Sequence, residues 1–168
     1  MTIAPALLAY APPTKTGKLN PRELDAFLAL PWNARLATVT PAMTPYMAPV
    51  WYHFDPAQRL FLVVARERSQ YVAHIQQNPA VALHVADDVH TEHTRVLVEG
   101  GAQIQEGPTA PDNDPRLRDL VIDLARRYMG EQGPTYAQHT MNRPRYLIQI
   151  TPQRWQSWSG GEWAARYR

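Results

Sequence analysis

The sequence predicts a mainly β protein: a small antiparallel barrel of six to seven strands with flanking helices. Two observations lead there. Between Ala34 and Gln105 lie five apolar runs rich in Val, Leu, Tyr and Trp, separated by Pro, Asp and Gly punctuation. Only one short helical segment interrupts them, so strands and helices do not alternate as a parallel α/β sheet would require.

The chain of 168 residues is long enough for a real core and short enough for one domain. Its formal net charge is +2 and its basic residues are scattered, without the clustered stripe of a nucleic-acid binder. There is no cysteine, which excludes disulfides and thiol chemistry. The N-terminal stretch MTIAPALLAYAPPTKTGK lacks a basic leader and is broken by Pro5, Pro12 and Pro13. It reads as neither signal peptide nor membrane span, and a cytoplasmic location is expected. The 16 prolines point to many short elements joined by stiff turns.

Residues 1–18 read as an extended or mobile arm, and 19–168 as one domain. The first helix covers 19–30, with Asn20 as cap, Pro21 at the first helical position and Glu23 placed for a capping box. Leu24, Phe27 and Leu28 share its apolar face, and Pro31 stops it. Strand one is Arg35–Thr40. A turn at Pro41–Thr44 leads into a long strand from Pro45 to Phe54, and after Asp55-Pro56 comes Leu60–Ala65; short loops make these three a meander. Ser69 is placed to cap a helix running to Asn78, with Val72 and Ile75 buried. Val81–Val85 is the fourth strand and Thr94–Gln105 the fifth, where Gly100-Gly101 predicts a bulge or tight bend. The longest helix is Asp114–Met129, with Leu117, Leu120, Val121 and Leu124 as its stripe; Gly130 and Gly133 end it. Residues 134–142 add a helical turn. Arg145–Thr151 is the sixth strand, alternating Tyr146, Ile148 and Ile150, and the tail carries three Trp in a last short strand and a loop.

The succession RLATVT, PVWYHF, RLFLVVAR with a following Ser and Ile, NPAVALHV, RVLVEGGAQI and YLIQITPQRW resembles the pyridoxamine 5'-phosphate oxidase-like split β-barrels. The resemblance covers about residues 20–158, and it lies in the order and spacing of the segments rather than in one motif. It implies an oxidoreductase that binds FMN, or the deazaflavin coenzyme F-420 in its place, at the interface of a homodimer. Hydride would pass to or from the ring, with a small molecule as substrate and neither nucleic acid nor membrane as partner. The substrate and any catalytic side chain stay unassigned.

The resemblance also points to positions. The cofactor phosphate is expected at the end of the third strand and the start of the next helix, Ala65, Arg66, Arg68, Ser69 and Gln70. A phosphate is well met there by guanidinium forks, a hydroxyl and a helix N-terminus. The family's common Ser-Arg-Lys triplet stands here as Ser69-Gln70-Tyr71, so its two basic positions are lost. The alternatives are compensation by Arg66 or Arg68, weak phosphate affinity, or a different ligand. Read without the resemblance, Arg66 and Arg68 are ordinary surface arginines. Pro49, Val50, Trp51 and Tyr52 match the strand beside the ring; the plain alternative for Trp51 and Tyr52 is barrel core and dimer contact. Arg95 matches a residue that reaches the ring, where a cation would favour the reduced, anionic form; its alternative is a cross-strand ion pair with Glu99 or Glu92. Trp158 either covers the ring or packs at the subunit interface.

Among the histidines, His84 faces the cleft or is a satisfied sheet residue, and His53 and His74 are expected on the surface. His90 and His93 lack a third ligand, so no metal site is predicted. Two rivals remain: a binding protein that holds a flavin, heme or tetrapyrrole without turnover, and a cofactor-free dimer with a decayed site.

Overall fold

A computed structural model describes residues 4–166. Its strands are β1 (Thr16–Gly17), β2 (Ala34–Val39), β3 (Pro45–Val50), β4 (His53–Asp55), β5 (Leu60–Arg66), β6 (Ala80–Ala86), β7 (Arg95–Thr109) and β8 (Arg145–Gly160). The helices are α1 (Pro5–Leu8), α2 (Pro21–Leu28), α3 (Gln70–Gln77), α4 (Pro115–Met129), α5 (Gly133–Gln138) and α6 (Gly161–Ala165). One antiparallel sheet runs in the order β3-β2-β6-β7-β8-β5-β4, with β1 added beside β8.

The two ends of that order, β3 and β4, are consecutive in the chain, with only Trp51 and Tyr52 between them. A sheet whose opposite edges are joined by two residues must curl into a barrel, and the break is its split. The single strand expected over Pro45–Phe54 is therefore two. Its first half pairs with β2 and its second with β5, so the expected meander is bent round a corner. The reason is tertiary. The corner backbone is served by a helix rather than a strand: the Tyr128 hydroxyl on α4 accepts from the Tyr52 N–H at 3.2 Å. Edge strand β3 carries Pro45 and Pro49, which cannot donate to another strand.

Other elements follow their local chemistry. Asn20 and Glu23 form the capping box of α2, with Glu23 N–H to Asn20 Oδ1 at 3.0 Å and Asn20 N–H to Glu23 Oε2 at 2.8 Å. The Asp114 carboxylate caps α4 by accepting from Leu117 N–H at 3.1 Å. The Gly100 region is a bulge: the β7–β8 register shifts between Glu99 and Gly100. A Cβ at Gly100 would meet the Thr151 carbonyl oxygen at 2.3 Å, so only glycine permits the approach. The tail differs from expectation. β8 continues unbroken from Arg145 to Gly160 because β7 accompanies it almost to the end, and α6 follows instead of a loop. In the N-terminal segment, α1 is a single turn and Thr16–Gly17 pairs with Gly160–Ser159.

Two apolar clusters result. Inside the barrel, Phe27, Leu36, Tyr52, Phe61, Leu83 and Ile150 are fully buried. Outside it, Leu117, Val121 and Ala125 of α4 and Ala137 of α5 pack on Leu147 of β8, with Leu62 and Val64 of β5 beside them. α5 lies on α4 backbone to backbone at Gly133, where a Cβ would stand 2.1 Å from the Ala125 carbonyl oxygen. Gly133→Ala is thus expected to force the two helices apart and cost about 1–3 kcal/mol. Urea unfolding measures it, and an unchanged midpoint would show that this contact is looser than described. No helix among the described residues is long and apolar enough to cross a membrane.

Candidate functional site

The split of the barrel, roofed by α4 and α5, encloses a cavity of about 310 Å³. Its lining comes from three directions. The β3 edge and corner give Pro49, Val50 and Trp51; β5 and the turn after it give Val64, Arg66 and Ser69; α4 gives Val121, Leu124 and Ala125. Tyr71, Tyr136 and Arg145 complete it. One wall is apolar and the opposite end is cationic.

Trp51 is held flat. Its ring stacks on Tyr128 with centroids 5.1 Å apart and planes 4° apart, and Tyr136 meets it at 6.4 Å. Tyr128 is in turn fixed by its hydroxyl, which lies 3.1 Å from the Trp32 carbonyl and 3.3 Å from that of Tyr52. Burial pushes the Tyr128 phenol up to about 12, so it stays protonated at neutral pH. The neighbouring Arg127 ties α4 to the C-terminal end of α2, donating to the carbonyls of Leu28 (2.8 Å) and Leu30 (2.5 Å).

At the cationic end, Arg66 and Arg145 stand directly opposite each other on β5 and β8. Arg66 donates to the Tyr136 hydroxyl at 2.9 Å. Arg145 is 8% exposed and donates to the Thr140 hydroxyl at 2.7 Å. Burial lowers the Arg145 pKa, and Arg66 and Arg143 lower it further by repulsion. Ser69 precedes α3 in the capping position, but its side chain makes no capping hydrogen bond, contrary to expectation; it faces the cavity instead.

Of the positions singled out from sequence, Pro49, Val50, Trp51, Arg66 and Ser69 come together on this cavity. Tyr52 and Ala65 point into the barrel, at 0% and 1% exposure, and the Tyr52 hydroxyl donates to the Leu28 carbonyl at 3.1 Å. Arg68 and Gln70 are exposed and outside the lining. Arg95 and Trp158 face each other at the far end of the β7–β8 ladder, the guanidinium 4.5 Å from the indole centre. The ion pair with Glu99, one plain alternative to a ring contact for Arg95, is not formed; Glu99 pairs with Arg154 at 3.6 Å.

His74, expected on the surface, is buried. Its Nδ1 lies 3.0 Å from the Thr38 hydroxyl, and its ring meets Tyr46 edge-on, because α3 turns that side onto β2. His84 is half-buried on the sheet, and burial with the nearby Arg35 lowers its pKa. His90 bonds the buried Asp87 carboxylate at 2.9 Å. Among the described residues no three His, Asp or Glu side chains gather as metal ligands would.

Sequence reasoning missed Arg145, Tyr136 and Tyr71, and the α4 wall as part of the site. The α4 stripe was visible but says only that something is covered. Arg145 opens an apolar strand, where an arginine ordinarily marks a solvated end.

Comparison with known proteins agrees with this architecture. No curated protein sequence matches the chain significantly. Among solved structures, a conserved hypothetical protein from Mycobacterium tuberculosis is 21% identical with a TM-score of 0.70, covering 92% of each chain. A protein described as an F420 reductase is 24% identical with a TM-score of 0.60, over 79% of this chain and 94% of the other. The heme storage protein HutZ of Vibrio cholerae is 16% identical with a TM-score of 0.62, over 87% and 99%. These likenesses concern the fold. The family model described as pyridoxamine 5'-phosphate oxidase matches residues 21–159, from the first turn of α2 to the end of β8. With that match spanning the whole barrel, the chain belongs to the pyridoxamine 5'-phosphate oxidase family.

Proposed function

We propose that the protein is an oxidoreductase that binds FMN, or a deazaflavin in its place, and works as a homodimer with the cofactor between subunits. The observation that carries this reading is the two-ended cavity: flat apolar walls at Val50, Trp51 and Leu124, and a cationic end at Arg66, Ser69 and Arg145. A flavin mononucleotide has the same two ends, a planar ring and a phosphate. The bound cofactor supplies the hydride chemistry at its ring.

The residues of this chain do the rest. Trp51, braced by Tyr128, presents a rigid aromatic face beside the β3 edge. Val121, Leu124 and Ala125 exclude water on the other side. Arg66 and Ser69 offer a guanidinium and a hydroxyl to the phosphate. Small-molecule sites span about 300–1,000 Å³. The cavity of one chain is at the low end of that range, which leaves room for a partner subunit to supply part of the site. Exposed Met47 on β3, 65% accessible, gives an apolar face for such a partner. In this arrangement Arg95 and Trp158 act on the partner's site. A C₂ dimer then has two equivalent centres.

A heme-holding role is less well supported. No histidine lines the cavity among the described residues, so iron would lack its commonest protein ligand there. The absorption spectrum of the purified protein, followed by titration with FMN and with the deazaflavin, tests the proposal. Flavin bands or saturable quenching of tryptophan fluorescence are expected. A Soret band would replace the reading with a tetrapyrrole one, and no binding of either cofactor would overturn it.

A further inference from the structure

Strand pairing sorts the side chains of β3, β2, β6 and β7 onto two faces. Leu36, Ala48, Leu83 and Val98 point into the barrel core. The residues between them point outward and stand in rows across the sheet. One row runs Met47, Ala37, Ala82; the next runs Pro49, Arg35, His84, Leu97. An outer sheet face is ordinarily polar, and this one is mostly methionine, proline, alanine and leucine. Met47 and Leu97 pack on neither apolar cluster of the described residues. His84 stands in the middle of its row. Arg35 faces it from β2, Asp88 from the loop after β6 and Arg95 from β7. The outward residues of β3, Pro45, Met47 and Pro49, carry no charge. The one carboxylate near His84, that of Asp88, already pairs with Arg35, and Glu99 of β7 pairs with Arg154 at 3.6 Å.

We infer that His84 makes dimer formation pH-dependent: the outer face of β3, β2, β6 and β7 seats the same face of a second copy while His84 is neutral, and releases it when His84 is protonated. This rests on the homodimer reading above and adds its regulation. A second copy is the fitting occupant for two reasons. The face is continuous with the candidate site, because Pro49 belongs to both. Its charges come as pairs of both signs, Arg35 with Asp88 and Arg154 with Glu99, so a copy turned through a two-fold axis meets a complementary surface. Covering the face takes His84 out of water beside two guanidinium groups, which disfavours its charged form. Burial, with repulsion from Arg35 and Arg95 against the pull of Asp88, already lowers its pKa in the single chain. Association lowers it further, so protons bind the free chain better than the dimer. The dimer is therefore strongest above the histidine range and weakens as pH falls through it, and two-fold symmetry counts the effect twice.

The test uses the full chain without cofactor. Sedimentation equilibrium measures the dimer dissociation constant at about pH 8 and about pH 5, the span in which histidine titrates. A rise of about tenfold or more at the lower pH is expected for wild type. His84→Gln and His84→Leu, which cannot take up the charge, are expected to keep a nearly constant value. Near-ultraviolet circular dichroism should stay unchanged across the same span; its loss on dissociation would mean acid unfolding and would overturn the inference. So would a wild-type dimer indifferent to pH, or the same acid weakening in both variants. A chain that is monomeric at every pH would remove the homodimer reading itself, whereas a dimer without pH dependence would remove only the role of His84.

Discussion

Phe61→Ala is expected to lower the free energy of unfolding by about 3–5 kcal/mol. Phe61 is fully buried near the start of β5, paired with Ile150 on one side and Phe54 on the other. Its ring meets Phe54 at 5.0 Å, Tyr52 at 5.6 Å and Trp155 at 5.7 Å. Truncation removes the transfer free energy of the ring and leaves a cavity that stiff neighbouring strands cannot collapse around. Against a typical stability of about 5–15 kcal/mol, that is a large fraction. Urea unfolding reads it as a lower midpoint with little change in slope. Phe61→Leu keeps much of the volume and should cost clearly less. If the alanine variant lost under 1 kcal/mol, the ring cluster could not be the centre of the barrel core.

Arg66→Ala is expected to weaken FMN binding by about 1.5–3 kcal/mol, roughly 10- to 150-fold. The guanidinium is placed at the cationic end of the cavity by β5 and steadied by Tyr136, so its bond to a phosphate would be charge-assisted and preorganised. Arg68→Ala serves as the contrast. Arg68 is two residues along, exposed and outside the cavity, and an exposed charge contributes about 0–1 kcal/mol. Parallel fluorescence titrations of the two variants measure the difference. Equal losses would mean that the phosphate lies outside the cavity, nearer the start of α3.

The alternation in β2, β5 and β6 and the capping box of α2 were legible because they are local: period, propensity and a side chain reaching three residues along the chain decide them. The bulge at Gly100 was legible for a similar reason, since a glycine pair inside a strand pattern signals a close backbone approach. The succession of these segments also carried the family, and with it the cavity positions Val50, Trp51, Arg66 and Ser69. Only the tertiary structure decided where β3 ends. Residues 45–54 have the composition of one strand, and the corner exists because Tyr128, far along the chain, takes over the Tyr52 backbone. It likewise decided the length of β8, which persists because β7 pairs with it, and the burial of His74, which α3 turns onto β2. Arg145 is the clearest case. Its neighbours in sequence describe a strand beginning at the surface, while its opposition to Arg66 and the roof of α4 and α5 make it a buried cation. Burial and pairing between distant segments are properties of the packed chain, and no local pattern encodes them.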